Sequence, residues 1–355
     1  MNPTVTVVLP VRNEADFIER SLGAVLSQDY PADLVDIVVA DGSSDDGTTE
    51  IVSRLIRRHP RVRLINNPER IVATGLNRAM AQTLGDVVVR VDGHCEIEAD
   101  YISRCIEHLQ SGIDGVGGAV ETVGQTPLAE VIATAMSSRF GVGDSAFRTT
   151  TGRSLFADTV PFPAYTRAII EKAGNYDTEL VRNQDDEYNY RLRKMGARIL
   201  LAADVRSRYY SRSSLKSLWR QYRQYGFWKV RVLQKHPFQM SARQFIPPLF
   251  VAALAGSAIA ALFTETGRVV FGAVLASYVA ANLCASVCVT RRRRLARFWM
   301  LPMAFATLHV AYGIGFLIGL VRFWNRWGAM ATDSLRPPTS NTPRDSTRKE
   351  NGVCA

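Results

Sequence analysis

Residues 4–11 read TVTVVLPV, and residues 35–40 read VDIVVA, which run straight into Asp41-Gly42-Ser43-Ser44-Asp45-Asp46-Gly47-Thr48. Both runs are rich in β-branched residues and almost continuously apolar. That is the signature of strands buried on both faces of a parallel sheet, not the alternation of half-exposed ones. Between them, after Arg12-Asn13-Glu14, the residues Phe17, Ile18, Leu22, Val25 and Leu26 fall at helical spacing, and Pro31 closes the stretch. The alternation continues with a helix from about Thr49 to His59, a strand at Val62–Ile65, a helix around Ala73–Leu84 and a fourth strand at Val87–Val91. This last strand ends in Asp92-Gly93-His94. Strands alternating with helices predict βαβ units and an α/β fold with a mainly parallel, doubly wound sheet. Ligands of such sheets bind beyond the carboxyl ends of the strands, which is where Asp41 and Ser43 succeed the second strand and Asp92 and His94 the fourth.

Downstream, Ser138 to Asp158 is rich in Gly, Ser, Thr and Arg and predicts a long, mobile loop. Asn183–Gly196 predicts a helix that opens with Asp185, Asp186 and Glu187 and closes with Arg191, Arg193 and Lys194. Acids at the start and bases at the end also suit the helix macrodipole, so taken alone this cluster has a purely structural explanation.

The net charge of +10 conceals a division. Up to Asp204 there are 29 acidic and 21 basic residues; from Val205 onward there are 4 acidic and 22 basic. This excludes a uniformly basic nucleic-acid-binding protein, and 47% hydrophobic residues exclude a disordered chain. Arg206–Arg243 holds ten Lys/Arg and no acid, interleaved with Tyr209, Tyr210, Trp219, Tyr222, Tyr225, Phe227 and Trp228. Such a mixture suits nucleic acid or a bilayer surface, and the apolar segments downstream decide for the bilayer. Three uncharged stretches, at 246–263, 269–290 and 298–321, are 18, 22 and 24 residues long, against the roughly 20 needed to span a hydrocarbon core. The basic flanks, including Arg291–Arg294, predict a cytoplasmic orientation with the first two segments as a hairpin. Gly313, Gly315 and Gly319 allow the third to span or to bend and re-enter. The expected division is thus a catalytic domain at 1–204, a basic-aromatic interfacial segment at 205–245, a membrane region at 246–327 and a disordered tail at 328–355. Five scattered cysteines show no metal-binding spacing and read as reduced thiols.

No GxxxxGK[ST] loop and no GxSxG elbow occurs, and Gly115-Val116-Gly117-Gly118 lacks the third glycine of a dinucleotide loop. What remains is acids at strand ends, which can bind a base or ribose, or hold a cation against a diphosphate. At this point the residues resemble a family. Residues 7–14 (VVLPVRNE) and 39–48 (VADGSSDDGT) are similar to the opening of glycosyltransferase family 2. Ala73-Thr74-Gly75-Leu76-Asn77 with Gly85-Asp86, then Val91-Asp92-Gly93-His94, then Asn183-Gln184-Asp185-Asp186-Glu187 with Arg191-Leu192, come in the family's order. The resemblance covers about residues 4–235, and the membrane tail is similar to that of the succinoglycan-biosynthesis glucosyltransferases.

The resemblance implies a GT-A fold and inverting transfer from a nucleotide diphosphate sugar, UDP-glucose in that subgroup. It implies that Pro10, Arg12, Glu14, Asp41, Ser43 and Asn77 bind the donor, with Asp41 facing the base. Asp92 is implied to hold Mg²⁺ or Mn²⁺. His94 stands where a second aspartate is usual, and neutral imidazole can ligate Mn²⁺. Asp185 is implied as the general base, with Asp186 as second choice; Gln184 stands where a glutamate is usual. The nearest segment to the QxxRW motif of processive synthases, Gln221 to Lys229, is not that motif. Trp219 and Trp228 suit interfacial anchoring, or a place beside a lipid-linked acceptor whose phosphates Lys229 and Arg231 would pair.

The expected function is sugar transfer to a polyprenyl-diphosphate-linked saccharide at the inner membrane, with the catalytic domain facing the cytoplasm. A polyprenyl-phosphate sugar synthase and a non-catalytic subunit or transporter that senses nucleotide sugars are the alternatives.

Overall fold

The structure, a computed structural model, describes residues 1–150, 152–293 and 297–327. The tail at 328–355 and part of the Arg291–Arg294 cluster lie outside the described residues. Nine strands form one sheet: β1 (Val5–Val11), β2 (Val35–Asp41), β3 (Val62–Asn66), β4 (Val87–Arg90), β5 (Cys95–Ile97), β6 (Gly115–Val123), β7 (Leu155–Phe156), β8 (Ala164–Thr166) and β9 (Ile199–Tyr210). The helices are α1 (Ile18–Leu26), α2 (Thr48–Ile56), α3 (Val72–Met80), α4 (Tyr101–Gln110), α5 (Pro127–Met136), α6 (Arg139–Val142), α7 (Ala146–Thr149), α8 (Arg167–Ala173), α9 (Gln184–Lys194), α10 (Leu215–Lys235), α11 (Ile246–Ala261), α12 (Glu265–Arg293) and α13 (Leu301–Arg322).

The strand order is β3-β2-β1-β4-β8-β6-β9-β5, with β7 paired to β9. The first four strands are parallel, and β1 is buried at every position, as its apolar run requires. The remainder is mixed: β8 lies antiparallel between β4 and β6, while β6 and β9 run parallel. Among the described residues β1–β4, β6 and β9 thus all run the same way, as a mainly parallel sheet requires, and only β5, β7 and β8 are reversed. In place of the expected long loop, residues 138–158 contain α6, α7 and β7.

Asp204 falls inside β9, so the sheet continues through Tyr210 and the boundary expected at residue 204 is displaced. The C-terminal part is also not separate. Leu301, Ala304, Phe305, Leu308 and Ala311 of α13 are buried in the same core as Val131, Ile132 and Met136 of α5 and the sheet residues. Three helical segments, Ala242–Ala261, Glu265–Arg292 and Phe298–Arg322, are long and apolar enough to cross a membrane. The glycines of α13 do not bend it. A Cβ on Gly315 would lie 2.0 Å from the Arg223 carbonyl oxygen, one on Gly319 2.6 Å from that of Phe227, and one on Gly226 2.0 Å from that of Tyr312. These glycines let α10 and α13 cross backbone to backbone.

Candidate active site

A cavity of about 1370 Å³ opens at the carboxyl ends of β1 and β4 and is lined on its far side by α10–α13. Its donor-side wall is the β1–α1 turn, Pro10 to Glu14, together with Gly42. That turn is stitched to the next one. Asn13 Nδ2 donates to Asp45 Oδ1 (2.8 Å), the Asp45 amide donates back to Asn13 Oδ1 (3.0 Å), and the Glu14 amide donates to Thr48 Oγ1 (2.8 Å). Asn13, Arg70, Phe162 and Asn183, all on the cavity wall, have positive φ of 45–63°. Non-glycine residues in this region store of order 1–3 kcal/mol each, and such strain collects at working sites.

Asp41 does not face this cavity. Its carboxylate is 7% exposed and accepts from the Ser44 hydroxyl (2.5 Å), the Ser44 amide (3.2 Å) and Thr49 Oγ1 (3.2 Å), so it shapes its own loop. Ser43 is likewise absent from the wall. Asn77 spends its amide on the backbone of Tyr176, donating at 2.9 Å and accepting at 2.8 Å.

At the end of β4 the cavity floor is ionic. Arg90, 7% exposed, donates from Nε to Asp92 Oδ1 at 2.9 Å and from Nη1 to Asp185 Oδ1. One guanidinium thus ties the residue expected at the metal to the residue expected as base. Burial works against the Arg90 charge, but Asp185 and Asp92 overcome it and raise its pKa further. Asp185 lines the cavity, with 39% of its side chain open to it and protein packed around the rest. Burial raises its pKa; Arg90 opposes, and the charges of Asp92 and Asp186 add to the rise. An upward shift of this kind suits a carboxylate to accept a proton. Asp186 is different: Lys229 of α10 donates to its Oδ2, which makes it a tie between helices and unsuits it as the base. Asn189 Nδ2 and the left-handed Asn183, whose Nδ2 donates to the Tyr225 carbonyl (2.9 Å), fix the start of α9.

His94 is held by Glu14, Nδ1 to Oε1 at 2.8 Å, and its ring stacks edge-on to Tyr209. Nε2 makes no hydrogen bond among the described residues, and in the neutral tautomer that donates Nδ1–H to the carboxylate its lone pair is free, the arrangement typical of metal-ligating histidine. Gly93 admits this packing, because a Cβ there would sit 2.9 Å from Glu14 Cγ. No group of three or more His, Cys, Asp or Glu placed to hold a metal ion occurs among the described residues.

Trp228 lies outside the cavity wall, against Phe227 and Phe323. Lys229 is engaged by Asp186, and Arg231 by Glu179 at 2.8 Å, so neither is available to lipid phosphates as expected from the sequence. Three wall residues are not marked by any sequence motif. Arg90 had a signal, a charge within the run Val87-Val88-Val89-Arg90-Val91. Arg212, within electrostatic reach of Glu14 and Asp92, makes no hydrogen bond or ion pair among the described residues. Gln221 holds the Tyr209 and Tyr225 hydroxyls with its amide nitrogen, while its buried oxygen has no partner.

A mixed sheet of this order, with carboxylates after β4 and at the start of α9 meeting in one cleft, defines a GT-A glycosyltransferase. The chain belongs to glycosyl transferase family 2, whose family model matches residues 6–178. It is 33% identical over 325 residues to the succinoglycan biosynthesis protein ExoA of Rhizobium meliloti, covering 90% of this chain and 96% of that one. It is 26% identical over 327 residues, 90% and 97% of the two chains, to a dolichyl N-acetyl-α-D-glucosaminyl phosphate 3-β-D-2,3-diacetamido-2,3-dideoxy-β-D-glucuronosyltransferase of Methanococcus voltae. Among solved structures, the mannosyltransferase PcManGT of Pyrobaculum calidifontis, in complex with GDP-Man and Mn²⁺, superposes with a TM-score of 0.59 at 22% identity, covering 89% and 88% of the chains. That likeness is one of fold.

Proposed function

We propose that this protein is a membrane-bound, inverting hexosyltransferase that uses a nucleotide diphosphate sugar, UDP-glucose on its resemblance to the succinoglycan-biosynthesis subgroup, to extend a polyprenyl-diphosphate-linked saccharide at the cytoplasmic face of the inner membrane. The observation that carries this reading is the single cavity in which Asp92, His94 and Asp185 meet and which continues to the apolar helices. The basic flanks of those helices support the orientation.

Asp185 accepts the proton of the acceptor hydroxyl as that oxygen attacks the anomeric carbon. The bond from that carbon to the diphosphate breaks on the opposite face, and the nucleoside diphosphate leaves. Arg90 keeps the base in place and ionised during approach. Asp92 and His94 Nε2 would hold Mg²⁺ or Mn²⁺, which when bound would neutralise the charge of the departing diphosphate.

The test is a panel of radiolabelled nucleotide sugars incubated with membranes holding the protein, with and without EDTA, before lipid extraction. Label entering the lipid phase only with metal is the expected result. Label confined to water-soluble product, or transfer indifferent to EDTA, would overturn the acceptor or the metal part respectively. Alkali- or acid-labile single-sugar lipid alone would indicate polyprenyl monophosphate as acceptor.

A further inference from the structure

The cavity does not stop at the carboxylates. Its far end is built from the membrane region, with Ile246, Pro247 and Phe250 of α11 and Val274 and Ala281 of α12 on its wall. Between the two ends stands a polar band. Arg243 lies across Gly143, where φ is +64° and a Cβ would be 2.9 Å from Arg243 Cδ, and its nearest acid is Asp158 at 3.6 Å. The exposed Arg139 side chain, also on the wall, makes no ion pair or hydrogen bond among the described residues. The buried oxygens of Tyr312 and Gln239 have no partner, and Tyr312 is within electrostatic reach of both Arg243 and Asp186. His309, by contrast, is fully used: Nε2 pairs with the Phe140 carbonyl at 2.8 Å and Nδ1 with the Tyr278 hydroxyl at 3.0 Å. That pins α12 and α13 to α6 and holds the walls of the passage apart.

A half-buried Arg243 with one long ion pair, the solvent-facing Arg139 and a buried phenol oxygen without a partner among the described residues together offer donors to an anion. A soluble saccharide has no use for an apolar exit on membrane helices, and the nucleotide's phosphates belong at the other end, beside Asp92 and Arg212. The chemistry that satisfies both the band and the exit is an anionic head on a hydrocarbon chain. We propose that Arg139, Arg243 and Tyr312 bind the phosphate of a polyprenyl-linked acceptor, whose first isoprene units leave past Phe250, Val274 and Ala281 where α11, α12 and α13 converge. This rests on the lipid-linked reading above and adds the place and the route. The acceptor sugar then lies toward Asp185, where the unpaired buried oxygens of Gln184 and Gln221 accept from its hydroxyls.

The experiment uses the full chain in lipid nanodiscs with a decaprenyl phosphate bearing a diazirine near its phosphate. After irradiation, cross-links are mapped by mass spectrometry and nucleotide binding is measured in parallel. The expected label sits on cavity-facing residues of α11 and α12 and is displaced by plain decaprenyl phosphate, but not by decaprenol or inorganic phosphate. Arg243→Ala and Tyr312→Phe each reduce it about tenfold, the scale of a charge-assisted hydrogen bond. Ala281→Trp abolishes it by filling the exit, and retained nucleotide binding shows that each variant is folded. Equal displacement by decaprenol or by inorganic phosphate, or label on α12 indifferent to all three variants, would overturn the proposal. If sugar still enters the lipid phase in that case, only the location is wrong. If no lipid product forms from any donor, the acceptor reading falls as well.

Discussion

Arg90 decides how the carboxylates at the cavity floor behave. It is the one cation in direct contact with both Asp92 and Asp185 among the described residues, and it opposes the desolvation that lifts Asp185. Asp185→Asn removes the proton acceptor and lowers kcat by about 10²–10⁴-fold, while the nucleotide dissociation constant, read by titration calorimetry, stays within about twofold. In the native enzyme the acidic limb of kcat/KM, which reports the base in the free protein, lies above the usual aspartate value of about 3.9. Arg90→Met takes away the charge that holds the limb down, so the limb moves to still higher pH. A limb that stays put in Arg90→Met would show that another group sets the base. Arg90 was passed over in the sequence, although a charge inside a buried valine run signals a need for a partner. The loop role of Asp41 was not visible, because an aspartate after a strand looks the same whether it faces a ligand or its own loop.

At the scale of elements, the basic stretch of α10 proves to be an internal seam. Lys229 pairs with Asp186, Arg231 and Lys235 with Glu179, and the His236 ring just beyond α10 hydrogen-bonds Glu187, so three cations and an imidazole grip the segment that leads into and forms α9. The sequence showed ten bases without an acid, but not that the acids lay some forty to sixty positions upstream. Burial would raise the Glu179 pKa, but hydrogen bonds from Arg231 and Lys235 outweigh it and bring the pKa down to about 2. A depressed carboxylate stabilises the fold above its unfolded pKa of about 4.3, and that contribution is lost as pH falls through the folded value. With a third of the side chain exposed, solvent screening limits it to about 1–2 kcal/mol. Glu179→Gln should therefore lower Tm at pH 7 and have little effect near pH 2; an equal loss at both pH values would deny the seam its ionic origin. The α10–α13 crossing makes a second claim. Gly315→Val drives side-chain atoms into the Arg223 carbonyl and should separate the helices, with a large loss of Tm, whereas Gly256→Ala on α11, which meets nothing within 4 Å, should leave Tm unchanged.

For the whole molecule, the charge division at Asp204 was legible and announced a half that holds three helices long and apolar enough to cross a membrane among the described residues, but it fell inside β9. The first four strands were legible because their apolar runs are long. β6 was not, since Gly115, Gly117 and Gly118 dilute its pattern; they are there because Tyr165, the Pro161 carbonyl and the Val205 carbonyl occupy the space a Cβ would take. The docking of α13 against α5 was hidden for a related reason: an apolar helix reads the same whether its neighbours are lipid tails or Ile132 and Met136. This packing separates two roles that a simple tether would merge. If α13 is part of the catalytic core, a chain ending at residue 245 exposes the apolar face of α5 and part of α10, and should aggregate or fail to bind nucleotide. If α11 and α12 instead form the lipid passage, replacing residues 246–297 by a flexible Gly/Ser linker should keep a chain that binds nucleotide with native affinity and transfers nothing to lipid. Nucleotide calorimetry and the lipid-extraction assay read the two properties independently. Native nucleotide binding by the chain ending at 245 would return α13 to the status of an anchor, and lipid transfer by the linker variant would remove α11 and α12 from the acceptor's path.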